Sequence, residues 1–122
     1  MLQIVFNEIS AAEISELDTL SQLKVFDEFQ VTHDDLENLD GDRFNKMTHE
    51  GKTLYRFRSE DWRFYFEVDR DTVIVHRVLH KGSFKDFLFR SNLADEDKEL
   101  EGNKHFWKLI DEGRNAKRNQ SA

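Results

Sequence analysis

Leu54-Tyr55-Arg56-Phe57-Arg58-Ser59-Glu60-Asp61-Trp62-Arg63-Phe64-Tyr65-Phe66-Glu67-Val68 is the stretch that decides the fold. Tyr55 and Phe57 alternate with Arg56 and Arg58, and Trp62, Phe64, Phe66 and Val68 alternate with Arg63, Tyr65 and Glu67. A period of two marks a half-buried strand. Ser59-Glu60-Asp61 reads as a tight turn between two such strands. Strands joined by so short a turn must pair antiparallel. Asp69-Arg70-Asp71 gives a second turn, and Thr72 to Leu79, rich in β-branched residues, a third strand. Gly82 and Ser83 break the run, and Phe84 to Phe89 is expected as a short edge strand. One antiparallel meander over residues 53–90 follows, with Trp62, Phe64 and Phe66 on its helix-facing side and Arg63 and Tyr65 pointing away.

Upstream, Leu2 to Phe6 reads as a first strand. Ser10 and Glu13 have the S-x-x-E spacing of a capping box at a helix start. The apolar set Ile14, Leu17, Leu20, Leu23 and Phe26 suits one drifting helical stripe or two helices broken near Asp18-Thr19. Thr32 to Asp42 is acidic, with one short helix expected about Asp34–Leu39 before the turn signal Asp40-Gly41-Asp42. This order predicts an α+β fold: an N-terminal strand and helices packed on one face of an antiparallel meander sheet, with an extra C-terminal helix. Residues 1–93 are expected as the domain, and 94–122 as an acidic linker, a short helix and a frayed tail. Phe106, Trp107, Leu109 and Ile110 give that helix an apolar side, which should dock on the domain or on a second copy.

Composition narrows the classes of function. The chain has 122 residues, a net charge of −7, and neither cysteine nor proline. That length suits one domain. Without cysteine there is no disulfide framework, thiol nucleophile or cysteine-based zinc site. No metal and no cofactor are expected, since the five histidines lack ligand spacing. No apolar run is long enough for a membrane span, and no basic-then-apolar leader opens the chain, so the expected address is cytoplasmic. Charge is unevenly spread. Residues 1–50 hold 12 acids and 3 bases, whereas residues 51–93 hold 6 acids and 9 bases. Only the middle of the chain is suited to attract an anion.

On that face, Arg56, Arg58 and Arg63 would form a cluster of guanidinium forks suited to bidentate grip on phosphate. His80 and Lys81 come where the chain leaves the third strand, at the rim. Cleavage of RNA by its own 2′-hydroxyl needs charge neutralisation, which arginines supply, and proton transfer, which a positioned histidine supplies. The competing reading is that these arginines are solvated or paired with cross-strand acids such as Glu67 and Asp69.

The stretch 54–68, followed by Val73 to Lys81, resembles the core signature of the RelE/ParE toxin superfamily, over roughly residues 1–90. The resemblance implies helices on one face of a curved antiparallel sheet and an antitoxin protein as partner. It implies ribosome-dependent cleavage of messenger RNA in the RelE branch, or action on DNA gyrase in the ParE branch. A catalytically inactive RelE-fold domain that binds protein is the further alternative. Carried over residue by residue, Arg56 takes an acid–base or basic place. Arg63 neutralises the scissile phosphate, Lys81 stands for a second phosphate-binding arginine, and His80 beside it exchanges protons. Lys52, Arg58 and Phe87 are the expected RNA contacts. Phe87 aligns with a tyrosine of active members, and it can stack on a base but cannot move a proton. Ribosome-bound messenger RNA is the expected partner if the site is active, with no membrane partner and a homo-oligomer through the C-terminal helix left open.

Overall fold

A computed structural model describes residues 1–81 and 93–119. In chain order the elements are β1 (Gln3–Phe6), α1 (Glu8–Ser15), α2 (Thr19–Glu28), α3 (His33–Glu37) and β2 (Phe44–His49). Then come β3 (Lys52–Ser59), β4 (Trp62–Asp69), β5 (Thr72–His80), α4 (Leu93–Glu101) and α5 (Lys104–Arg114). The strands form one sheet in the order β1-β5-β4-β3-β2, with β1 parallel to β5 and every other neighbour antiparallel.

The period-two reading holds from β3 to β5. The turns fall at Glu60 and Arg70, both with left-handed backbone (φ 53° and 59°). A third hairpin, which the sequence did not announce, joins β2 to β3 through Glu50 and Gly51, both at positive φ. Strands β4 and β5 slip by one residue between Tyr65 and Phe66, and His76 is the extra residue. That bulge lets Val75 and Val78 point to the same side of the sheet.

Phe57, Phe64, Phe66, Val73, Val75 and Val78 meet Ile14, Leu17, Val25, Phe29 and Val31 in the main core. The helical stripe breaks near Asp18-Thr19, and Asp18 caps α2 by accepting from the Ser21 amide (2.7 Å). The first cap is one turn earlier than expected. Asn7 is the N-cap of α1 and Ser10 lies inside the helix, where its hydroxyl accepts from the Asn7 amide. Asn7 wins because its side chain also donates to His76 O (3.0 Å) and Gly113 O (2.7 Å), tying α1 to β5 and α5. Leu20 and Leu23 do not join the core. They are 79% and 63% exposed, and Phe26 is half exposed.

The larger correction concerns the other face. It is covered, not open. Met47, Leu54, Tyr65 and Leu79 pack there against Leu100, Phe106, Trp107 and Ile110. Residues 94–101, expected as a linker, belong to helix α4. The apolar side of α5 is spent on this sheet. Gly113 makes the approach possible, since a Cβ there would sit 2.2 Å from His76 O. Beyond α5, Lys117 O accepts from the Glu8 amide and the Asn119 amide donates to Phe6 O, so these tail residues pair with the chain around Asn7. The expected edge strand at Phe84–Phe89 lies outside the described residues.

Candidate functional site

Register places the expected phosphate-gripping residues together. Arg58 and Arg63 are direct cross-strand partners, and Arg56 faces Tyr65 two pairs along, on the same face. Like charges opposite each other repel. The chain relieves this by bringing carboxylates to them.

Arg56 is fully buried and its donors are filled. Nε donates to both carboxylate oxygens of Asp97 (3.3 and 3.2 Å), and Nη2 donates to Asp97 Oδ2 (2.8 Å) and Gly41 O (3.1 Å). Nη1 donates to the carbonyls of Asp42 and Arg43. Asn45 donates to the same Asp97 carboxylate (2.8 Å). Arg63 is also buried, with Nη2 donating to Glu96 Oε2 (3.3 Å) and Nη1 to Glu60 O (2.9 Å). Both acids come from α4. A buried guanidinium with its fork on a carboxylate is the arrangement that phosphate would otherwise occupy.

Arg58 differs. Its Nη2 donates to Asp42 Oδ1 (2.7 Å), its side chain is one-third exposed, and its buried Nε has no hydrogen-bond partner among the described residues. Lys81 shares the rim, half exposed and 3.4 Å from Asp61. Lys52 is exposed at the start of β3, paired across the hairpin with His49 and about 13 Å along the strand from Arg56. His80 is not in this group. It is the cross-strand partner of Trp62 and packs edge-on against that ring (4.9 Å) on the α1–α3 side of the sheet. The expectation that it reaches the arginine face is not met, because as the register partner of Trp62 it shares that ring's side of the sheet. Phe87 lies outside the described residues.

Tyr65 sits between the arginines and the second core, fully buried. Burial, then the Asp97 charge, push its phenol well above its ordinary pKa. It is therefore a packed neutral ring and no proton acceptor near neutrality. Glu67, expected as a quencher of the arginines, instead binds Arg114 and lies 3.4 Å from His76. His76 first, and then Arg114, hold the Glu67 carboxyl down to about 2 against the opposing effect of burial. The acids that do quench the face, Glu96 and Asp97, were not singled out from the sequence. A signal existed: Leu93, Glu96, Asp97 and Leu100 fall at i, i+3, i+4 and i+7, the spacing of one helical face.

No protein-family model and no curated protein matches the chain. Solved structures do. The RelBE2 toxin–antitoxin complex from Mycobacterium tuberculosis contains a chain that aligns at 20% identity with a TM-score of 0.50, over 65% of this chain and 96% of that one. The chain has the RelE toxin fold. A chain of the RelB–RelE antitoxin–toxin complex from Methanococcus jannaschii also aligns, at 22% identity and a TM-score of 0.42, over 68% of this chain and 96% of that one.

Proposed function

We propose that this chain is a protein-binding domain on the RelE toxin fold that does not cleave RNA as folded. The observation that carries this reading is the pairing of Arg56 with Asp97 and of Arg63 with Glu96 beneath α4. A phosphodiester would have to displace two carboxylates and the helix that carries them. That helix and α5 are held down by Leu100, Phe106, Trp107 and Ile110, all buried. Exposing each costs roughly 1.5–3 kcal/mol, so lifting the pair off the sheet costs on the order of 6–12 kcal/mol. The open fraction is then below about one molecule in 10⁴. Cleavage also needs a proton acceptor on the same face. His80 faces the other way and Tyr65 is sealed. The antitoxin in the neighbouring complex supports a protein partner of that kind.

A second reading has its own support: a ribosome-dependent messenger RNA endoribonuclease, released when a partner removes α4 and α5. Arg56, Arg58 and Arg63 share one face, as that chemistry requires, and Lys81 follows directly after the end of β5. The experiment is induced expression with mapping of messenger RNA ends on translating ribosomes. Wild type should create no new ends, and A-site cuts by wild type would overturn the proposal. Cuts made only by the Glu96→Gln, Asp97→Asn double variant would establish the second reading.

A further inference from the structure

Helix α2 carries an apolar stripe that the core does not use. Leu20 and Leu23 lie three residues apart, mostly exposed, and Phe26 continues the row with half its surface open. Isolated exposed leucines are ordinary, whereas a contiguous row that runs into a groove marks an interaction site. The row does run into one. Phe26 packs edge-on against Phe6 (6.3 Å), and the two form one wall of a groove of about 260 Å³ whose other walls are Ile4, Val5, Ala11 and Ile14, with Asn119 at its edge. That volume is below the roughly 300–1,000 Å³ of small-molecule sites. It suits one or two protruding side chains.

The rim is acidic. From Glu8 to Glu28 the chain carries six acids and the single base Lys24. Lys24 is already tied to Glu60, with Glu28 nearby. Glu8, Glu16 and Asp27 are exposed and have no ion-pair partner among the described residues. Lys117 and Arg118 lie at one end only, beside the start of α1. An occupant must therefore bring apolar anchors and positive margins. A helix suits this surface better than an added strand. The edge of β1 is open only around Ile4, because Leu2 N donates to Val31 O and Phe6 O accepts from Asn119, leaving too short an edge for an added strand.

We propose that α2 and the groove beside β1 are the docking face for an amphipathic helix with leucine-type anchors on one side and lysine or arginine along both margins. The proposal rests on the protein-binding reading above and gives that reading its surface. It sits on the opposite side of the sheet from Arg56 and Arg63.

The test uses the full chain and a fluorescently labelled synthetic helix of about five turns, with a leucine stripe and lysine margins. A second probe keeps the stripe and replaces lysine by glutamate. Anisotropy should show saturable binding of the basic probe that weakens with salt, and at least tenfold weaker binding of the acidic one. Leu20→Ser and Leu23→Ser should each weaken the basic probe by about tenfold or more. Both positions are exposed, so the melting temperature should stay put and certify the fold. Equal binding of the two probes, or binding indifferent to Leu20→Ser and Leu23→Ser, would overturn the proposal. So would a wild-type dimer that these variants convert to monomer, since the occupant would then be a second copy. Messenger RNA cleavage by wild type would sink the non-catalytic reading alone, because probe binding is measured without RNA.

Discussion

Asp97→Ala removes the carboxylate from a guanidinium that has no access to water. Arg56 would keep its bonds to the carbonyls of Gly41, Asp42 and Arg43 but lose its one ion-pair partner among the described residues, and Asn45 would lose its acceptor. Breaking a buried pair from one side typically costs about 3–5 kcal/mol, because the remaining charge is left uncompensated. Such a loss is a large share of the roughly 5–15 kcal/mol that holds a domain together. Removing both charges is a different perturbation. Arg56→Met with Asp97→Leu leaves no stranded ion, and exchanges of that kind are often neutral or stabilising. The assay is urea unfolding followed by circular dichroism, with the slope compared across variants so that a midpoint shift reports stability. Asp97→Ala should fall by the full amount and the double variant should recover most of it. A loss below about 1 kcal/mol for Asp97→Ala would mean the pair behaves like an exposed surface bridge, and α4 would not seal the face as described.

Two other expectations concern how α5 is held. Gly113→Ala puts a methyl group into the His76 carbonyl, so α5 must shift, and protease cleavage within residues 104–114 should become faster than in wild type. Unchanged protection would show that the close approach is not needed. Glu67 has a folded-state pKa near 2 against an ordinary 4.5. A depressed carboxyl stabilises above its unfolded pKa, and that stabilisation is lost as pH falls from about 5 towards 2. Glu67→Gln should flatten that limb of a stability–pH curve measured by thermal melts, and an unaltered limb would contradict the assignment.

The meander was legible because its physics is local. Tyr55, Phe57, Trp62, Phe64 and Phe66 alternate with polar residues, and two-residue turns leave antiparallel pairing as the only choice. Strand β2 was not, because Phe44 to His49 alternates poorly and its hairpin depends on Glu50 taking positive φ. The first cap was misplaced by one turn since Asn7 is selected by contacts with His76 and Gly113, far along the chain. The arginine face was placed correctly and its state was not. Arg56, Arg58 and Arg63 share a face by periodicity alone, but what covers it is a tertiary fact. An acidic run such as 94–101 has the composition of a solvated linker, and only its partners make Glu96 and Asp97 interior groups. Leu20 and Leu23 fail in the opposite sense. Their spacing is that of core residues, and their exposure is intelligible as a surface kept for a partner.

The central claim is that the arginine face is closed by the chain's own helix. It is tested most directly by the exchange of the arginine Nε–H protons with solvent, read by ¹⁵N-resolved NMR on wild type at neutral pH. Arg70 is exposed on a turn and provides the reference. The Arg56 Nε–H donates to both oxygens of Asp97 out of reach of water. Its exchange should be slower than that of Arg70 by about four orders of magnitude or more, matching the cost of lifting α4 and α5. Exchange of Arg56 within tenfold of Arg70 would mean that the face opens freely, and the closed, non-catalytic account would be wrong.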